Sequence, residues 1–124
     1  WTGDVLPLHS VPSGLCIMAH WPAKKLDDYL STPLESPTAY TLTDAEAIRE
    51  RIAMIQSLGY AWGYEEGVDG INAVAAPILL SDGTVEGAVH VHGPAFRFPN
   101  PDRTHDLGVL VVAAAESIAE HLND

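Results

Sequence analysis

The chain has 124 residues, 47% of them apolar, which fits one globular domain spanning residues 1–124. Its formal net charge is -11, from six Lys and Arg against seventeen Asp and Glu, so it lacks the clustered cations that nucleic acid or an anionic membrane surface requires. The single cysteine, Cys16, excludes an internal disulfide and favours a reducing compartment, and no apolar run approaches the roughly 20 residues of a membrane span. No signal peptide, internal repeat or low-complexity segment is visible. The chain opens Trp1-Thr2-Gly3-Asp4 without methionine, which reads as a fragment or a processed product.

Val5 to His9 reads as a short strand or its end, broken by Ser10-Val11-Pro12-Ser13-Gly14. A short apolar helix follows to about Ala19, with Pro12 at its start, where no backbone donor is needed. Pro22 opens a second helix with Leu26, Tyr29 and Leu30 on its inner face. Ser31 to Leu42 carries Pro33, Pro37 and several hydroxyls, the marks of a surface loop. Thr43-Asp44-Ala45-Glu46 has the form of a capping box. It predicts a helix with Ile48, Ile52 and Ile55 as its buried stripe and Gly59 as its stop. Tyr60 to Tyr64 reads as a strand, followed by the acidic turn Glu65-Glu66-Gly67-Val68-Asp69-Gly70.

Two apolar runs, Ile71 to Leu80 and Val85 to Gly93, flank Ser81-Asp82-Gly83-Thr84, and Asp-Gly between such runs signals a hairpin. With Asp82 and Gly83 as a two-residue loop, Ala75 falls opposite His90, Ala73 opposite His92, and Pro77 opposite Ala88. Alternation puts Glu86, Ala88, His90 and His92 on one face, and Val85, Val89 and Val91 on the other. Two imidazoles among small residues predict a hollow with polar groups on one wall. A one-residue slip would send those alanines to the other face. Pro94 to Asp102 is a proline-rich loop. A last helix runs from about Arg103 to Leu122, with Leu107, Leu110, Val111, Ala114, Ile118 and Leu122 as its apolar face. Strands joined by tight turns, flanked by helices, predict an α+β architecture with an antiparallel sheet.

Val5-Leu6-Pro7-Leu8-His9-Ser10, Ser13-Gly14, Gly59-Tyr60, Glu65-Glu66, Gly70, Ala75-Ala76-Pro77 and Gly93-Pro94, in that order and spacing, resemble the effector-binding domain of IclR-type bacterial transcriptional regulators. The similarity runs from about residue 5 to residue 122. It implies a GAF-like fold, a curved antiparallel sheet flanked by helices. It also implies that the domain is truncated at its N-terminus, lacking a first strand pair and a DNA-binding winged helix-turn-helix. A cytoplasmic homo-oligomer, dimer or tetramer, is implied as well, with a small organic or aromatic acid as effector and no cofactor or catalytic residue. By position, the pocket would be lined by Leu6, Pro12, Ser13, Gly14, Gly63, Ile71, Ala73, His90 and His92. Ser13 and Gly14 would offer backbone N–H groups to an anion at the helix start.

Three positions depart from the family's pattern. Pro12 has no N–H to donate. Leu15 stands where lysine is frequent, and His90 and His92 stand where small hydroxyl residues are common. These departures point away from a glyoxylate-like ligand and toward an aromatic or hydroxylated acid that imidazoles can hydrogen-bond or stack on.

Other readings of the same residues stay open at this point. His90 and His92 could be plain hydrogen-bonded histidines. They could also hold a metal, with His9, Cys16 or Glu66 as a third ligand. Glu65-Glu66 could form a general acid/base pair, although adjacent strand residues point apart. Ser13 near His9 could suggest a nucleophile and base, but no Gly-x-Ser-x-Gly elbow surrounds it. Trp1, Trp21 and Trp62 could stack on a ligand, with a core or interface role the other reading of each. An interaction module with an unoccupied hollow is the remaining possibility.

Overall fold

The computed structural model describes residues 6–123. Val5 and Trp1 therefore lie outside the described residues. The expected first strand is not formed where it can be seen, because Leu8–Ser10 is a 3-10 turn closed by Ser10 N–H to Pro7 O at 3.0 Å.

Helix α1, Pro12–Met18, starts at Pro12 as the sequence predicts. Val11 is extended and lends its carbonyl to Leu15 N–H at 3.0 Å, the first bond of the helix. Gly14 is required by close approach: a Cβ there would stand 2.1 Å from the Leu8 carbonyl oxygen. Helix α2, Ala23–Leu30, follows Pro22 and buries Leu30, with Leu26 and Tyr29 packed beside it.

Helix α3, Ala45–Leu58, buries Ile48, Ile52 and Ile55 on one stripe. Its cap is Asp44 rather than Thr43, since the Asp44 carboxylate accepts from Ala47 N–H at 3.0 Å. The capping-box reading was thus displaced by one residue. Gly59, at φ 85, ends the helix in the left-handed conformation that glycine adopts without strain.

Three strands form one antiparallel sheet in the order β1-β2-β3: β1 is Ala61–Tyr64, β2 is Ile71–Leu79 and β3 is Val85–Pro94. The register matches the sequence expectation, with Ala73 opposite His92, Ala75 opposite His90 and Pro77 opposite Ala88. The turn does not. Gly83 N–H bonds to Leu80 O and Leu80 N–H to Thr84 O, both at 2.9 Å, so the loop has three residues, Ser81 to Gly83. Gly83 sits at φ 87, the left-handed position such a loop requires. Alone, this would shift every pair by one. The shift is undone one step up the ladder, where Ile78 pairs with Gly87 and Leu79 with Val85. Glu86 is the bulged residue between them, outside the alternation that was to place it on the histidine face.

The sheet divides two cores. Leu15, Cys16, Met18, Ile48, Ile52 and Ile55 pack with Ala61 and Ala75 on the α1–α3 side. On the other side lies helix α4, Thr104–Leu122, whose Val111 and Ala115 meet Val74 and Ala76, with Trp62 and Val89 alongside. The buried face of α4 is therefore Gly108, Val111, Ala115 and Ala119, rotated from the expected stripe. Leu110, Ile118 and Leu122 are exposed instead. Small residues at 108, 115 and 119 let the helix axis approach the sheet, which an Ile and Leu stripe would prevent.

Candidate functional site

Two rows cross the sheet on the α1 side: Ala61–Ala75–His90 and Gly63–Ala73–His92. Each row ends in an imidazole on β3. The rings of His90 and His92 stack, with centroids 5.4 Å apart and planes 28° from parallel. Small side chains along both rows leave space beneath α1. A cavity of about 240 Å³ lies there, lined by the start of α1, the sheet rows and the β1–β2 loop.

Eight of the nine residues expected at the pocket line this cavity: Leu6, Pro12, Ser13, Gly63, Ile71, Ala73, His90 and His92. Gly14 does not. It is buried against the Leu8 backbone, and its place is fixed by packing. Gly63 lets α1 settle on the sheet, since a Cβ there would stand 2.7 Å from Pro12 Cγ. Ser10, Val11, Glu66, Gly67 and Val68 complete the lining; of these the sequence points only to Glu66, as a candidate third metal ligand beside the histidines. They come from turns whose paths depend on tertiary contacts. The available signal was Gly67, where a Cβ would stand 2.6 Å from Val11 Cγ1.

Glu66 is almost fully buried, 7% exposed, at the cavity wall. Arg51 of α3 donates to it from Nη1, 3.2 Å from Oε1 and 3.4 Å from Oε2. Tyr64 N–H also donates to Glu66 Oε2 at 3.2 Å. Glu65 faces another task. At φ 57 it turns the chain, its Oε1 accepts from Gly70 N–H at 2.9 Å, and its carbonyl accepts from Thr38 Oγ1 at 2.6 Å. The two carboxylates therefore serve separate partners and do not form an acid/base pair.

The other chemical readings fail on geometry. His9 is buried, with Nδ1 2.8 Å from the Tyr29 hydroxyl and Nε2 2.7 Å from the Glu35 carbonyl, so its ring pins the loop after α2 and both its nitrogens are engaged by partners other than Ser13. Cys16 is fully buried, its thiol donates to Ala75 O at 3.5 Å, and burial pushes its pKa up to about 12. Among the described residues no group of three or more His, Cys, Asp and Glu side chains is placed to hold a metal ion. Leu15, at the position where the family frequently carries lysine, is buried in the core and does not line the cavity. Trp21 packs edge-on to Tyr29 under Lys25, and Trp62 stacks on Tyr64 and donates to Thr104 O at 3.2 Å, so both are structural.

Burial lowers the pKa of His90 below its usual 6.5, and the neighbouring His92 lowers it further. The site can thus offer a neutral His90 imidazole as donor or acceptor, with His92 stacked beside it, at one end. At the other, Ser13 lies in the first turn of α1, ahead of that helix's first backbone bond. Between them the walls are mostly apolar, with Glu66 the charged residue among them.

Fold and cavity together define an α+β domain: an antiparallel sheet with helices on both faces and a concave pocket under the first helix. The family model for the bacterial transcriptional regulator IclR C-terminal domain matches residues 1–120, and the chain belongs to that family. It is 32% identical over 121 residues to the HTH-type transcriptional repressor AllR of Klebsiella pneumoniae, spanning 97% of this chain and 44% of that protein. The crystal structure of the Thermotoga maritima IclR superposes with a TM-score of 0.86 at 30% identity, covering 94% of this chain and 47% of that one. An IclR homolog from Microbacterium hydrocarbonoxydans, crystallised in complex with 4-hydroxybenzoate, superposes with a TM-score of 0.78 at 27% identity, covering 94% of this chain and 47% of that one. The chain spans less than half the length of these relatives. Among the described residues, no helix is long and apolar enough to cross a membrane.

Proposed function

We propose that this chain is the sensing part of a cytoplasmic IclR-type transcription regulator, and that its effector is a small aromatic or hydroxylated organic acid held in the cavity under α1. The observation that carries this reading is the cavity itself. Its apolar walls, Leu6, Val11, Val68 and Ile71, run between a helix start at Ser13 and the imidazoles of His90 and His92. Such a shape suits a flat molecule with an anionic end and a polar far end. Ser13 would receive the carboxylate through its backbone N–H, and the histidines would hydrogen-bond the far end. The 4-hydroxybenzoate bound by the Microbacterium homolog is a molecule of that kind.

Regulation would be physical. The effector would shift the arrangement of a homo-oligomer whose DNA contacts come from a separate winged helix-turn-helix. The shift is limited by the effector's differential affinity for the two arrangements. No catalytic residue and no cofactor enters this account.

A thermal-shift screen of small carboxylates, aromatic acids and divalent metals, each with and without chelator, tests it. A ligand at 100 times its dissociation constant adds about 2.7 kcal/mol of stability. The expected result is stabilisation by an aromatic acid that survives the chelator and disappears in the His90→Ala/His92→Ala double variant. Stabilisation by metal alone, or equal affinity in the double variant, would contradict it.

A further inference from the structure

We infer that Arg51 and Glu66 form a clasp that stands in for a neighbouring strand along the outer edge of β1, and that this clasp keeps the sheet from pairing there with a second copy of the chain. β1 is an edge strand, since the sheet ends with it. An edge strand presents a row of N–H and C=O groups that invite another strand. Which groups point outward follows from the ladder. Glu65 N–H bonds to Ile71 O at 3.1 Å, and the register runs on through Gly63 opposite Ala73 and Ala61 opposite Ala75. Bonded and unbonded pairs alternate along an antiparallel ladder, so Trp62 and Tyr64 turn their backbone groups away from β2.

The clasp meets both of these outward positions. Arg51 Nη1 donates to Trp62 O at 3.4 Å, and Glu66 Oε2 accepts from Tyr64 N–H at 3.2 Å. The two side chains also bond each other, Nη1 to Oε1 at 3.2 Å. A donor and an acceptor, joined to one another, therefore lie along the edge as the backbone of an adjacent strand would. Both are held from behind: Arg51 stands on α3, and the Glu66 carbonyl accepts from Thr41 Oγ1 at 2.5 Å. The Glu66 side chain is 8% exposed, so water competes little for its carboxylate. Glu66 also lines the cavity under α1, so the same pair steadies the loop that closes it.

The strand itself carries no guard of its own. Edges are commonly blunted by charged side chains or proline, and Ala61-Trp62-Gly63-Tyr64 has neither. Beside it a cleft of about 280 Å³ is lined by Met54, Leu58, Tyr60 and Tyr64 among others. Met54, Leu58 and Tyr64 are exposed there.

The strand that fits this edge once the clasp opens is β1 of a second copy. Antiparallel pairing about a two-fold axis at Trp62 sets Ala61 opposite the copy's Gly63 and Tyr60 opposite the copy's Tyr64. Aromatic side chains then meet across the junction, which favours pairing. The chain carries a net charge of -11, yet Tyr60 to Tyr64 holds none of it, so the contact opposes no like charges along its centre.

Two measurements test the clasp. In the natural chain, amide hydrogen exchange should be slower at Tyr64 N–H, which Glu66 covers, than at the outward Trp62 N–H by about tenfold or more. Equal exchange at the two amides overturns the inference without any variant. Sedimentation velocity over a range of concentrations then compares the natural chain with Arg51→Met. The variant should gain a species larger than any the natural chain forms, increasing with concentration. Adding Tyr64→Lys, a charge on the same edge, should remove that species. An unchanged size distribution in Arg51→Met overturns the inference. A larger species that persists with Tyr64→Lys also overturns it, because association then runs through another surface. The same species in Gly14→Ala, which is destabilised with its clasp intact, overturns it as well, since partial unfolding then accounts for the association.

Discussion

Arg51 and Glu66 show how much a single pair can organise. Glu66 is buried at the cavity wall, and its carboxylate is satisfied by the Arg51 guanidinium and by Tyr64 N–H. Thr41 Oγ1 donates to the Glu66 carbonyl at 2.5 Å, tying the loop after α2 to the same point. The Arg51→Met variant would strand a buried carboxylate. We expect it to lose about 2 kcal/mol of stability, less than the roughly 3–5 kcal/mol of a fully enclosed pair because Arg51 keeps one side in solvent. Chemical denaturation measures this directly. A variant as stable as the natural chain would show that water replaces the guanidinium at no cost. Sequence alone located Glu66 in an acidic turn but not its partner, because the pairing spans 15 residues and depends on how α3 lies against the loop.

The elements were legible where local chemistry dominates. Pro12, Gly59 and the isoleucine stripe of α3 each acted where the sequence placed them. The β2–β3 register was right although its loop was misjudged by one residue, because the bulge at Glu86 restored the count. Alternation of small and polar residues on one face carries that information independently of the turn. The face of α4 is legible only in part: Leu107 and Val111 of the expected stripe meet the core while Leu110, Ile118 and Leu122 are exposed, since apolar side chains occupy two stripes and only packing decides which one meets the sheet. Gly14, which the resemblance places at the pocket, marks where α1 touches the Leu8 turn. Gly14→Ala drives a methyl group into backbone atoms that cannot rotate away. The cost should be about 3 kcal/mol, at the upper end of overpacking effects. Thermal melting checks it, and an unchanged melting temperature would mean that the turn at Leu8 to Ser10 yields freely.

Across the whole molecule, the sheet separates two jobs. On one face, α4 packs on Val74 and Ala76 and makes an apolar core. On the other, α1 and α3 complete a second core, and the sheet rows run past it to the stacked imidazoles and the open cavity. The same face was selected from the sequence by hairpin register and by family resemblance, but the loop residues that close the cavity were not, because no local rule fixes their path. A second cleft, of about 390 Å³, lies between α3 and α4 and is lined by Gln56, Val112, Glu116 and Asn123 among others. Its presence makes location the decisive question. The direct measurement is a nuclear magnetic resonance titration of the labelled chain with 4-hydroxybenzoate. The account predicts saturable shifts centred on Ser13, Gly63, Ala73, His90 and His92. Saturable shifts confined to Gln56, Val112, Glu116 and Asn123, or no saturation at millimolar acid, would contradict it.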